Sequence, residues 1–193
     1  RRLGAQQKEH VLEIVCDWGG FAEMAVADGL KTTGVTLSPA QLEWAQKRVP
    51  EADLRLQDYR DISQQFDHVV SIEMFEAVGE RWWPSYFRTV AGALKPGGRA
   101  VIQSITIDDD LFAAYRKGTD FIQQYIFPGG MLPSRAACRR AAAQAGLVVR
   151  EEYAFGLDYA RTLAEWRQLF ESNWPEIQKL GFDDSFRRLW RLY

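Results

Sequence analysis

Val11-Leu12-Glu13-Ile14-Val15-Cys16, closed by Asp17-Trp18-Gly19-Gly20, is the stretch on which the fold turns. Its first six residues, rich in β-branched and apolar side chains, read as a buried strand, and the polar, glycine-bearing close reads as a turn. Phe21 to Ala27 follows with helix formers whose apolar members stand three and four apart, ending near Gly29. A strand, a glycine turn and a helix in that order open a βαβ unit. Such units bind their ligands outside the carboxyl ends of the strands.

Outward from this stretch the cycle repeats. Thr32 to Leu37 reads as a second strand, and Ser38-Pro39 sets a capping side chain before a proline at the first position of a helix from Ala40 to Arg48. Leu54 to Leu56 is expected as a third strand. Phe66 to Ile72 is a fourth, leading to a helix around Ser85 to Leu94 that Lys95-Pro96-Gly97-Gly98 should stop. Arg99 to Ile105 is a fifth. Strands alternating with helices of about ten residues predict an α/β fold with a mostly parallel sheet and right-handed crossovers. The alternation breaks over residues 108–133, where Phe112, Tyr115, Phe121, Tyr125, Ile126, Phe127 and Met131 predict a helical insertion, its Phe127-Pro128-Gly129-Gly130-Met131-Leu132 loop a lid or a packed turn. Ser134 to Ala145 reads as a helix, Leu147 to Phe155 as a strand, and residues 161–193 as two amphipathic helices rich in Trp. No Pro- or Ser-rich linker interrupts the chain, so one domain over residues 1–193 is expected.

The composition bounds the function. The chain has 193 residues, of which 47% are hydrophobic and 26% charged, which fits a globular protein with one sizeable core. A net charge of −2 supplies no reason to hold a nucleic-acid backbone. Two histidines and two distant cysteines, Cys16 and Cys138, make no zinc signature, so no metal and a reducing cytoplasm are the expectation. No apolar run approaches the roughly 18 residues of a membrane span. The chain begins without Met, so a piece of a longer protein is expected.

The residues just after each strand are the candidates for chemistry: Cys16 to Gly20, then Thr36, Leu37 and Ser38 with Gln41, then Gln57 to Arg60, Glu73 to Glu76, and Ser104 to Thr106. A rim of carboxylates, amides and aromatics suits a nucleoside-like ligand that carries positive charge. A glycine turn admits the backbone, Tyr59 can stack on a purine, and Asp58 can accept from an amine. The Gly-x-Gly-x-x-Gly spacing of a dinucleotide site is absent.

The blocks Val11-Leu12-Glu13-Ile14, Trp18 to Ala22, Gly34 to Ser38, Leu56 to Asp61, Ser71 to Gly79 and Tyr125 to Ser134 resemble the cyclopropane-fatty-acyl-phospholipid synthases and mycolic acid cyclopropane synthases, essentially end to end. The resemblance implies a Rossmann-like class I methyltransferase fold, S-adenosylmethionine as cofactor, and a cis alkene in a phospholipid acyl chain as substrate. It implies Glu13, Cys16, Trp18, Gly19, Gly20, Thr36, Leu37, Ser38, Gln41, Gln57, Asp58 and Tyr59 around the cofactor. Glu76, Tyr159 and Ile105, with Gln103 where the family has His, surround the catalytic base, which in the family is a bound bicarbonate. Phe75, Tyr125 and Phe127 are expected to line the acyl channel. Transient contact with the inner face of the membrane, a cytoplasmic location and a homodimer belong to the same set of expectations.

The sequence also departs from the family pattern. Val15 and Asp17 stand where the family turn has glycine, a substitution costing on the order of 1–3 kcal/mol wherever φ is positive. Gln103 can donate a hydrogen bond but cannot titrate. The family's anion-binding Cys is expected upstream of Val11, and its last strand beyond Tyr193. Two alternatives to ring formation therefore stay open: acyl methylation without ring closure, and a lipid-binding homologue with an impaired cofactor turn.

Overall fold

The computed structural model describes residues 3–193, which form two compact units, one ending at Val149 and one spanning Arg150–Tyr193. The first holds a five-stranded parallel sheet: β1 (His10–Ile14), β2 (Lys31–Thr36), β3 (Asp53–Leu56), β4 (Phe66–Ile72) and β5 (Leu94–Gln103), in the order β3-β2-β1-β4-β5. Between and after the strands come α1 (Gly20–Ala27), α2 (Pro39–Arg48), α3 (Phe75–Val78), α4 (Trp83–Gly92), α5 (Asp109–Tyr115) and α6 (Arg135–Gln144). The α/β parallel architecture expected from the alternating pattern is present.

Both faces of the sheet are covered, which is why its central strands are buried almost throughout, polar residues such as Glu13, Thr33 and Ser71 included. Leu12, Ile14 and Val69 pack with Phe66, Phe75, Trp83, Tyr86, Phe87 and Val90. Val11 and Val70 pack with Ala25 and Leu3, and Cys16 with Ala22, Ala45, Val49 and Leu54. Each buried aromatic or aliphatic side chain contributes roughly 1.5–3 kcal/mol relative to exposure. Gly34 lets β2 approach the turn after β1, because a Cβ there would stand 2.8 Å from both Cys16 Cβ and Leu54 Cδ2.

The amino-terminal edge of the sheet is a paired network. The His10 amide donates to Asp67 at 2.8 Å, and Lys95 donates to the other Asp67 oxygen at 2.7 Å. His10 Nε2 lies 2.8 Å from Thr33 Oγ1, which donates to Asp53 at 3.2 Å. His68 Nε2 lies 2.9 Å from a Glu9 carboxylate oxygen.

Three expectations need correction. α4 begins at Trp83 rather than Ser85, with Pro84 in its first turn where the missing N–H costs nothing. Lys95-Pro96-Gly97-Gly98 does not follow the helix as a stop but bulges inside β5: β4 pairs Phe66 with Leu94 and His68 with Arg99. Gly97 has φ 81° there, and a Cβ on Gly98 would meet the Asp67 carbonyl at 2.7 Å. Leu147 to Phe155 forms no strand; without a neighbouring backbone to pair with, Val148 and Val149 lie exposed. The insertion is helical in two pieces, α5 and a π-helical turn over Ile122–Ile126.

The second unit has three helices rather than two: α7 (Gly156–Ser172), α8 (Trp174–Lys179) and α9 (Asp184–Leu192). Pro175 cannot extend the hydrogen-bond ladder of α7, and Gly181, at φ 95°, turns the chain into α9. Trp174 is buried, Phe170 packs on Trp174 and Phe186, and Glu171 pairs with Arg187 and Arg191.

Candidate active site

Glu13 is the last but one residue of β1, and only 3% of its surface is exposed. Burial pushes its carboxyl up to about 8, reinforced by the nearby Asp17 carboxylate and partly offset by the Ala22 amide of α1. Its Oε2 has no hydrogen-bond partner among the described residues. The turn that follows is backbone-strained: Val15 has φ 61° and Asp17 φ 43°, left-handed values at the two positions where the family pattern has glycine. Left-handed backbone is uncommon for any side chain and an outlier for a β-branched one. Gly19, at φ 81°, completes the turn, and a Cβ on it would crowd Ala45 Cβ at 3.1 Å. The side chain of Cys16 faces the packed cluster beneath, its thiol pushed up to about 12 by burial and then by Glu13. Trp18 is exposed, its ring edge-on to Trp44 at 6.2 Å.

The ends of β2 and β3 carry a connected polar set. Ser38 caps α2 by accepting from the Gln41 amide at 3.3 Å, Thr36 Oγ1 donates to Gln41 Oε1 at 3.0 Å, and Gln41 Nε2 donates to Asp17 Oδ1 at 3.2 Å. Asp58 caps a short 3-10 turn at Tyr59–Asp61; it accepts from the Arg60 amide at 2.8 Å and the Arg60 guanidinium at 2.9 and 2.6 Å. Those hydrogen bonds hold the Asp58 carboxyl below its usual range. Beside these residues lies a cleft of about 310 Å³. Thr36, Leu37, Gln57, Asp58 and Tyr59 line it, together with Val15, Met74, Val78 and Trp82.

At the ends of β4 and β5 stands a second buried carboxylate. Glu76 Oε1 accepts from the Ile105 amide, while Oε2 has no partner among the described residues. Burial pushes the Glu76 carboxyl up, and the Ile105 amide offsets part of the shift. Gln103 Nε2 donates to Glu73 Oε1 at 2.8 Å, and Glu73 itself is left-handed at φ 49°. The insertion loop reaches this point: the Met131 amide donates to the Glu76 carbonyl at 2.8 Å.

The structure therefore gathers Glu13, Thr36, Ser38, Gln41, Gln57, Asp58 and Tyr59, and separately Glu76, Gln103 and Ile105, at the carboxyl edge of one sheet. Tyr159 lies in the first turn of α7, in the second unit, its amide donating to the Phe155 carbonyl at 3.1 Å. Phe75 is not a channel residue. It is fully buried against Trp83, Tyr86 and Phe87, whereas Tyr125 and Phe127 are exposed. Met74, expected at the rim, lines the cleft, whereas sequence reasoning missed Val78 and Trp82; Val78, four residues after Met74, carried the signal of a helix face turned to the strand ends. Sequence reasoning also missed that Asp17 would partner Gln41, for which no local signal existed.

A parallel sheet in this order, with a glycine turn after its first strand and a ligand cleft at the strand ends, is the class I methyltransferase fold. The chain belongs to the mycolic acid cyclopropane synthetase family, whose model matches residues 1–193. It is 42% identical to the tuberculostearic acid methyltransferase UfaA1 of Mycobacterium tuberculosis, over 98% of this chain and 46% of that protein. It is 37% identical to the cyclopropane-fatty-acyl-phospholipid synthase of Escherichia coli K12, over 95% of this chain and 47% of the relative. The chain thus spans about half the length of these relatives. Among solved structures, the cyclopropane synthase MmaA2 from Mycobacterium tuberculosis superposes with a TM-score of 0.87 at 25% identity, covering 99% of this chain and 73% of that one.

Proposed function

We propose that the chain carries the catalytic core of an S-adenosylmethionine-dependent enzyme that adds one carbon to a cis double bond of a phospholipid acyl chain, working at the inner face of the membrane. The observation that supports this reading is the pair of buried carboxylate oxygens without partners among the described residues, Glu13 Oε2 and Glu76 Oε2, at one sheet edge. A buried unpaired carboxylate is costly, and a cationic ligand or reacting group relieves the cost. The residues fit such a cofactor. The cleft of about 310 Å³ has Tyr59 and Trp82 for a purine, Asp58 retains acceptor capacity beyond its Arg60 bonds, and Glu13 suits a positive charge. Bound there, S-adenosylmethionine supplies a methyl group on a cationic sulfur as the electrophile.

Methyl transfer leaves the other alkene carbon electron-poor, and the ring closes when the transferred methyl group gives up a proton and its carbon bonds to that centre. Glu76 is assigned as the acceptor: its Oε1 is fixed by the Ile105 amide, its Oε2 is open, and its raised affinity for a proton suits a general base. Bicarbonate does not fit the residues as they stand. The Ile105 amide is given to Glu76 and the Gln103 amide to Glu73, so both donors face carboxylates. A second reading stops short of the ring, with the proton lost from a chain carbon beside the electron-poor centre to leave a methyl-branched alkene; it is favoured by Gln103, an amide anchored by Glu73 where the family has a titratable His.

Calorimetry with S-adenosylhomocysteine tests the cofactor assignment; a folded sample showing no binding at millimolar ligand contradicts it. Mass spectrometry and NMR of lipid produced from a cis-unsaturated phospholipid separate the readings, because a cyclopropane and a methyl branch differ in their high-field proton signals.

A further inference from the structure

A nucleoside base seated in the cleft would face Asp58, Tyr59 and Trp82, which line it, while Glu13 stands near the end of β1. A sugar reaching from Asp58 and Tyr59, after β3, to Glu13, in β1, would pass the end of β2, which lies between those strands and where Thr36, Gln41 and Asp17 form one hydrogen-bonded chain. A vicinal diol presents two O–H donors and needs acceptors. Within that chain Gln41 Oε1 is taken by Thr36 and Gln41 Nε2 by Asp17. β2 ends in Thr36 and offers no carboxylate of its own, although nucleotide-binding sheets commonly place an acidic side chain on the ribose hydroxyls. Asp17 Oδ1 accepts from Gln41, which leaves Oδ2 to serve as an acceptor.

We infer that Asp17, entering from the neighbouring turn, is the carboxylate that binds the ribose diol of the adenosyl group. This rests on the cofactor reading above and adds a specificity-determining residue to it. It also gives the left-handed φ of Asp17 a use: an Asp tolerates that conformation better than most residues, and the turn holds its side chain against Gln41. The competing account makes Asp17 a mere replacement for glycine, strained and in the ligand's way. The two accounts predict opposite signs for the same substitution.

The experiment is calorimetry on the whole chain with S-adenosylhomocysteine and with its 2′-deoxy and 3′-deoxy analogues, for the native protein, Asp17→Asn and Asp17→Gly, each checked by thermal melting. Asn keeps the size and tolerates a left-handed backbone, so folding is retained. The expected result is that Asp17→Asn weakens S-adenosylhomocysteine binding about tenfold to a hundredfold, the range of a charged hydrogen bond. It should weaken at least one deoxy analogue less than threefold, and Asp17→Gly should lose affinity while melting higher. Equal losses for all three ligands, or unchanged or tighter binding by Asp17→Gly, overturn the assignment while leaving the cofactor reading intact. No binding by the native protein overturns both.

Discussion

The two ends of the parallel sheet treat charge and backbone in opposite ways. At the amino-terminal edge Asp67 serves His10 and Lys95, Asp53 serves Thr33 and Arg55, and Glu9 meets His68, whose buried Nδ1 has no partner among the described residues. At the carboxyl edge Glu13 and Glu76 each keep a buried oxygen unpaired, and three of the four non-glycine residues with positive φ among the described residues, Val15, Asp17 and Glu73, stand in its turns. The same strands run through both ends, so the difference is not one of fold. One edge is built for stability, and the other keeps unrelieved cost where a ligand can remove it.

The largest break in that comparison is expected at Glu76. Glu76→Gln should lower turnover of an unsaturated phospholipid about a thousandfold while moving the S-adenosylhomocysteine dissociation constant less than threefold. Steady-state rates and calorimetry check this, and equal losses in both contradict the role of base. Turnover should also be unaffected by depleting bicarbonate from the buffer.

The second effect is a pH slope. The folded-state pKa of Glu13 is raised to about 8 from an ordinary value of 4.5, so the stability of its buried neutral form is complete below pH 4.5 and is lost as pH rises toward 8. At the other edge His10 is lowered by burial and then by Lys31, so its contribution is present above pH 6.5 and is lost as pH falls through the lowered value. Glu13→Gln should therefore flatten the decline in stability between pH 5 and pH 8, worth on the order of 3 kcal/mol, without changing the acid limb. Urea titrations across pH read both limbs.

A smaller effect separates the edges by function. Asp67→Ala strips a partly buried amide and Lys95 of their acceptor and should cost about 2 kcal/mol in urea unfolding, with S-adenosylhomocysteine affinity unchanged. The smallest expected effect has the opposite sign. Val15→Gly relieves a left-handed β-branched residue but gives up its packing, leaving a gain of about 1 kcal/mol by the same measurement.

Much of this contrast was legible in the sequence, but unevenly. β1, β2 and β4 announced themselves because both sheet faces are covered, so their β-branched and apolar residues, Val11, Leu12 and Ile14, Thr32, Thr33 and Val35, Val69, Val70 and Ile72, cluster without a strict alternation. Ser38-Pro39 fixed the start of α2 through a cap and a proline that act locally. Leu147 to Phe155 misled, because β propensity says that a segment can pair and nothing about whether a neighbour is there. Glu13, Glu76 and the strand-end residues followed from topology and resemblance. The Asp17–Gln41 and Glu73–Gln103 hydrogen bonds did not, since they join residues 24 and 30 positions apart through side chains whose meeting depends on the finished sheet.

The bulge at Lys95 to Gly98 acts as a vernier between β4 and β5. Two residues of one strand advance while five of the other do, after which the pairing runs in step to Ile72 opposite Gln103. That offset brings Gln103 to Glu73 and the Ile105 amide to Glu76. Removing one glycine from the bulge would slide β5 by one position and turn alternate side chains to the wrong face. A lesion at the quiet edge of the sheet would thus dismantle the reactive one without touching any residue in it.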